Sequence, residues 1–312
     1  MIRLPFPRLA AVILFLASSI HGVAGEKLRT RPEPPAPDEF TLMSYNLWRF
    51  SYEDRDKDGQ KDNFKPEEQI AAVVAVITNA SPDVLAIQEI GDADSFEILC
   101  QRLKAAGHDY PYTEYFILPH STVGLGALSR FPIMGRYNIT NESYTLGGEE
   151  LPVQRGFLVV DIQVNKQYRF RLINAHLKSK LFHPLGQTEM RRNEARLLNK
   201  HVRRMIDRNR NMNIVVVGDM NDQVNSSPLR ELIGRPANLF DVRPRDYVGD
   251  LWTHLWDYQE EYARIDYILP AASMWPELVR EKSYLPRDPN ADMASDHRPV
   301  IAVFKAADQT AE

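Results

Sequence analysis

The segment IVVVGDMND, residues 214 to 222, sets Asp219 and Asn221 two positions apart directly after an apolar run. An acid and an amide so placed can cap the turn that follows, or can serve a reaction whose other groups arrive from elsewhere in the chain. Other polar residues hold similar positions. Asn46 follows LMSY, Glu89 follows DVLAIQ, His176 follows RLINA, Asp266 sits in RIDYIL, and Asp296 and His297 fall in SDHRP just before the last apolar run. Carboxylates, amides and imidazoles of this kind supply general acids, general bases and ligands for a divalent cation. Most also have a purely structural use: Asn46 and Asp219 as caps, His176 as a hydrogen-bonded strand histidine. Glu89 is harder to explain that way, because a buried carboxylate must be paired or bound to a cation.

A sheet edge would gather them. Short runs rich in β-formers recur along the chain: FTLMSYNLW, DVLAIQEI, GLGALSRF, RGFLVVDIQV, YRFRLINAHL, NIVVVGDM, RIDYILP and PVIAVF. Each has the length of a strand, and most of the polar residues above stand at C-terminal ends of these runs. Helical stretches lie between some of them: PEEQIAAVVAVITNA, opened by Pro66, and DSFEILCQRLKAAG, stopped by Gly107. In the middle of the chain strand follows strand, with a hairpin turn expected at Asn165-Lys166. This order implies an α/β protein with two mixed sheets stacked face to face and helices on the outer faces.

The remaining segments set the boundaries. Arg3 and Arg8 precede LAAVILFLA, and small and polar residues follow to Gly25, the pattern of a cleaved export signal and too short for a comfortable membrane span. Residues 26–39 read as a Pro-rich linker, 40–306 as one folded domain and 307–312 as a tail. The expected location is therefore periplasmic or secreted, with no membrane span in the mature chain. Cys100 is the single cysteine, so no internal disulfide forms, and a buried, inert thiol on a helix is expected. The net charge of −4 argues against attraction of nucleic acid by the molecule as a whole. A local basic strip, MRRNEARLLNKHVRRMIDRNR (190–210), is the exception, although Ala195, Leu198, Val202 and Met205 recur at helical spacing and make many of its cations the solvated face of an amphipathic helix.

The ordered set SYNLW, DVLAIQEI, GALSRFPI, RGFLVVDI, NAHLKS, VVVGDMND, RIDYIL and SDHRPV resembles the successive signatures of the endonuclease/exonuclease/phosphatase superfamily, which includes deoxyribonucleases, AP endonucleases, neutral sphingomyelinases and inositol polyphosphate phosphatases. The resemblance spans about Phe40 to Phe304. It implies a four-layer α/β/β/α sandwich and metal-dependent attack of water on a phosphoester. By position, Glu89, Asn46 and Asp296 resemble the ligands of a Mg²⁺ or Mn²⁺ ion. Asp219 resembles the residue that orients or deprotonates water, Asn221 a donor to the phosphoryl oxygens, and His297 a phosphate contact or proton-transfer group whose tautomer Asp266 fixes. His176 matches the group that protonates the leaving oxygen or stabilises its charge, and Arg155 an arginine near the phosphate.

The chain departs from the AP endonuclease branch at His176, where that branch has tyrosine, and at Trp48, where it has an acid. The paired cysteines of the pancreatic deoxyribonuclease are missing too. The implied activity is an exported phosphodiesterase acting on DNA or RNA, with a phospholipid or small phosphoester as the alternative substrate and a non-catalytic binding protein as the reading of another class; no stable protein partner is implied. Separately, Asp54, Asp56 and Asp58 before Gly59 have the D-x-D-x-D-G spacing of calcium loops, suggesting a structural Ca²⁺. Lys65 stands at position twelve, so Glu67 or Glu68 would have to supply the missing ligand.

Overall fold

The computed structural model describes residues 33–309. The expected export signal, the first part of the linker and the end of the tail lie outside the described residues. In chain order the first half comprises β1 (Glu39–Phe50), α1 (Glu67–Ala80), β2 (Val84–Ile90), α2 (Ala93–Ala105), β3 (Tyr112–Phe116), β4 (Gly124–Ser129), β5 (Ile133–Arg136), β6 (Ser143–Leu146) and β7 (Glu149–Pro152). The second comprises β8 (Phe157–Gln163), β9 (Arg169–His176), α3 (Gln187–Arg208), β10 (Ile214–Asp219), α4 (Ser227–Ile233), β11 (His254–Trp256), β12 (Glu261–Ala263), β13 (Asp266–Pro270), α5 (Ala291–Ala294) and β14 (Val300–Lys305).

Two five-stranded mixed sheets form, ordered β14-β1-β2-β4-β3 and β13-β10-β9-β8-β5. Their packing explains the long apolar runs, because a strand covered on both faces has no solvent side to make polar. One apolar cluster lies between the sheets, with Phe40, Leu42, Ala86, Leu172, Val215 and Phe304 among its members. A second joins the outer face of the first sheet to α1 and α2 through Val73, Ile77 and Leu99. A third joins the second sheet to α3 and α4 through Leu198, Val202 and Leu229. Three cores define the four layers of an α/β/β/α sandwich.

Local chemistry sets the element ends. Asp92 caps α2 by accepting from Ser95 N, and Ser226 caps α4 by accepting from Leu229 N. The β8–β9 turn is held by Asn165 Oδ1, which accepts from the amides of Gln167 and Tyr168 at 2.9 Å each. On α3, Ala195, Leu198 and Val202 are buried while most of the Arg and Lys residues face solvent. Cys100 lies on α2 but is only half-buried; burial, reinforced by Glu97, pushes its thiol to about 12, so it stays protonated at neutral pH. No helix among the described residues is long and apolar enough to cross a membrane.

Candidate active site

Register brings the site together. In the second sheet Asp219 pairs with Asp266 on one side and with His176 on the other, so three polar residues from distant parts of the sequence stand abreast at the strand ends. In the first sheet Asn46 is opposite Gln88, with Glu89 next in line. Both ladders are irregular here: the β1–β2 register shifts between Asn46 and Phe50, and the β2–β4 register between Gln88 and Ile90. Trp48, Arg49 and Glu89 adopt positive φ of 47°, 50° and 58°. Non-glycine residues held in this region at bulges are typical of places where a strand re-aims its side chains for a task.

The two sheets meet across this edge. Asn46 Nδ2 donates to Glu89 Oε1 at 3.3 Å and to Asp219 Oδ2 at 3.1 Å. His176 Nε2 lies 3.3 Å from the same Asp219 oxygen. Asn221, at φ 52°, donates its backbone N–H to Asp219 Oδ1 at 2.8 Å and its Nδ2 to Leu177 O at 3.0 Å. His297 turns Nδ1 to Asp266 Oδ2 at 2.8 Å and Nε2 toward Asp219 Oδ2 at 3.8 Å. Asp219, Asp266, His176 and His297 are all buried.

Electrostatics divides these groups into roles. Burial, reinforced by the Asp266 carboxylate, lifts Asp219 from the usual carboxylate value to about 7. Burial alone would depress His297, but Asp266, Asp219 and Asp296 override it and raise the ring to about 10, making it cationic at neutral pH. His176 is driven well below the ordinary imidazole value by burial and then by the charges of Arg155 and His297, so it is neutral.

Glu89, partly open at the mouth, accepts from Arg49 N at 2.9 Å. Asp296 does not join the Asn46–Glu89 contact directly. It keeps the company of His254 at 3.7 Å and His297 at 3.8 Å, and its Oδ1 is buried without a hydrogen-bond partner. One ligand atom from each of His254, Asp296 and His297 falls within 4.8 Å of the others, as does one from each of Asp219, Asp266 and His297. The orphaned Asp296 oxygen is one that a divalent cation would satisfy, whereas His297, protonated and held by Asp266, offers such an ion no lone pair. Arg155 Nη1 donates to Leu177 O at 3.1 Å, and its Nε has no partner.

Several contributors were not singled out from the sequence. His254 packs its ring against that of His297 with centroids 4.6 Å apart. Ser295 Oγ donates to Asn46 O and accepts from His297 N, tying the last loop to β1. Thr253 Oγ1 accepts from the amides of Ile265 and Asp266 and so positions that carboxylate. Glu194 of α3 accepts from Gln154 N and Lys178 N, pinning the segments beside Arg155 and His176. Beside the centre is a cleft of about 460 Å³ whose lining includes Trp48, Trp252, Trp256, Tyr258 and His297.

In the acidic loop, one oxygen from each of Asp54, Asp56 and Asp58 lies within 4.8 Å of the others. Lys65 does not close the loop: it is buried and donates to the carbonyls of Leu47 and Trp48. Glu67 is engaged by Arg102 through two bonds of 2.6 and 2.7 Å and does not reach the loop.

A four-layer sandwich with carboxylates, amides and imidazoles converging at one edge of its paired sheets defines the class of the phosphoester hydrolases built on this architecture. The model of the endonuclease/exonuclease/phosphatase family matches residues 43–297, and the chain belongs to that family. Solved structures agree. The truncated TDP2 of Caenorhabditis elegans is similar at 17% identity, covering 86% of this chain and 98% of that one with a TM-score of 0.58. The human nocturnin catalytic domain with bound sulfate is similar at 16% identity, covering 87% and 96% with a TM-score of 0.61. Sphingomyelinase C from Streptomyces griseocarneus is similar at 16% identity, covering 85% and 99% with a TM-score of 0.58. At such identities the likeness is one of fold alone. No curated protein matches the sequence.

Proposed function

We propose that the protein is an exported phosphodiesterase that uses a divalent cation and acts on nucleic acid. The reaction rests on one observation: Asp219 Oδ2 receives Asn46 at 3.1 Å and lies 3.3 Å from His176, on a carboxylate whose pKa is about 7. A base poised near neutral pH suits removal of a proton from water. His297, kept cationic by Asp266, is the group able to give a proton to the leaving oxygen, while neutral His176 serves as a hydrogen-bond donor. This reverses the proton-donor role that the resemblance assigns to His176. Arg155, whose Nε is unengaged, supplies a donor for the phosphoryl oxygens, whereas Asn221, expected to do the same, spends its Nδ2 hydrogens on Leu177 O and Asp219 Oδ2 and so orients the base.

Asn46, Glu89 and Asp296 would hold Mg²⁺ or Mn²⁺, which would polarise the phosphoryl oxygens. Asp54, Asp56 and Asp58 are a candidate for a structural Ca²⁺.

The cation-rich outer side of α3 supports a polynucleotide substrate. A phospholipid or small phosphoester is the second reading, and the aromatic cleft beside His297 supports it. The deciding experiment is nicking of supercoiled plasmid by the purified mature protein with Mg²⁺, Mn²⁺ or Ca²⁺, beside EDTA and Asp219→Asn controls. Metal-dependent nicking lost in the variant supports the nuclease. No nicking with any metal would overturn it and direct the assay to sphingomyelin and inositol phosphates.

A further inference from the structure

We infer that the outer surface formed by α3 and α4 is a second anion-binding site, separate from the reacting atoms, which holds the phosphate backbone of a polynucleotide. The inference rests on the nuclease reading and says how such a substrate is gripped. Between the two helices lies a cavity of about 570 Å³ lined by Arg192, Asn199, Arg203, Arg230, Glu231 and Arg235 among others. Four guanidiniums there face one carboxylate. Glu231 is engaged by Arg192, at 3.0 and 3.1 Å, and Arg230 donates to Asn225 O. The side chains of Arg203 and Arg235 make no hydrogen bond or ion pair with any described residue, and both residues are exposed. On a chain of net charge −4 this concentration of positive charge is local.

The cations continue along the helix. Arg192, Arg196, Lys200 and Arg203 follow one another at intervals of four, four and three residues, all exposed, which places them on one stripe of α3. The stripe is about 16 Å long at ~1.5 Å per residue. A duplex carries one charge per ~3.4 Å of its axis on each strand, so a stripe of this length can meet several phosphates at once. A single phosphate would leave most of the cavity and most of the stripe unused. An anionic membrane is the poorer match to the stripe itself, because among the described residues no large apolar side chain of α3 or α4 is exposed; the exposed Leu181 and Phe182 precede α3, and the vesicle arm of the test below covers them. Guanidiniums suit phosphate oxygens, which they hold in pairs.

The surface is built into the same rigid unit as the catalytic loop. Arg191, next to Arg192, is buried and donates to Asp222 Oδ2 at 3.0 and 2.9 Å, just beyond Asn221. A strand seated on α3 is thereby held in fixed relation to Asp219. Arg203 stands about 18 Å along the helix from Arg191, beyond the reach of a small diester in the catalytic site.

The test is binding of labelled single- and double-stranded oligonucleotides of about 20 nucleotides, in EDTA, over roughly 50 to 200 mM salt. Wild type is compared with Arg203→Glu/Arg235→Glu and the milder Arg203→Gln/Arg235→Gln. The reversal pair should weaken binding at least ~10-fold and reduce the salt slope by about two, the Gln pair acting in the same direction. Hydrolysis of bis(p-nitrophenyl) phosphate should stay within about twofold of wild type. Equal affinity and slope in all three proteins would overturn the proposal, as would loss of binding to phosphatidylserine vesicles with oligonucleotide binding intact. Wild type that binds oligonucleotide through these arginines but never nicks plasmid would overturn the nuclease reading and leave the anion site standing; nicking with unaltered binding in both variants would do the reverse.

Discussion

His297 Nδ1 and Asp266 Oδ2 are 2.8 Å apart, with both side chains buried at the edge of the cleft that His297 helps to line. The carboxylate both fixes the ring's orientation and, with Asp219 and Asp296, keeps it protonated against the cost of burial. Asp266→Asn retains the shape and removes the charge. We expect kcat to fall by about 10³ to 10⁴, as when a carboxylate orienting a catalytic imidazole is neutralised. NMR titration should show the His297 pKa dropping; an unchanged pKa would separate Asp266 from this role.

The rate profile follows from the same charges. Asp219 must lose its proton to act as a base, so activity should rise through about pH 7. His297 must keep its proton to act as an acid, so activity should decline through about pH 10. His176 is neutral across this window and should contribute no limb. The profile of kcat/KM measures this directly, and a limb that vanishes in His176→Asn alone would contradict the assignment.

Far from the site, Tyr168 donates to Glu277 within the fold, while burial lifts Glu277 to about 8. A carboxyl whose folded pKa exceeds its unfolded value stabilises most at low pH. Its contribution declines as pH rises from about 4.5 through 8. Wild type should lose on the order of 3 kcal/mol from this group between about pH 5 and 8. Glu277→Gln keeps an acceptor for Tyr168 and should remove most of that loss, read from denaturant midpoints at the two pH values.

Gly218 precedes Asp219 at φ +128°, and a Cβ there would lie 1.9 Å from Ala175 O on the neighbouring strand. No side-chain adjustment relieves a clash with backbone. Gly218→Ala should destabilise by more than about 3 kcal/mol or abolish folding, to be measured by chemical denaturation. A mild effect would mean that β10 and β9 can separate.

If the acidic loop binds calcium, titration calorimetry of wild type should give one site that Asp56→Ala weakens at least ~10-fold. Equal heats from the two proteins would leave the loop a solvated charged turn.

Much of this was legible because a doubly covered sheet leaves an unmistakable trace: apolar runs such as IVVVG that stop at a polar residue. All eight runs singled out from the sequence are strands, and register then makes neighbours of Asp219, Asp266 and His176. Other elements left weaker traces. YTEYF forms edge strand β3 with mixed exposure and no clear alternation. The β6–β7 hairpin turns at Gly147-Gly148, with φ of 62° and 86°, a two-glycine signal that could have been read. His254 had no such signal, since only the pairing of the start of β11 with His297 brings it to the site. The charges of the two histidines were equally hidden, because burial and neighbours act through space.

Three of the four tryptophans, Trp48, Trp252 and Trp256, line the cleft beside His297, and only Trp275 lies elsewhere. The protein therefore carries its own optical probe at the mouth of the site. Its ultraviolet emission should report arrivals in the cleft directly, without a dye and before any bond is broken.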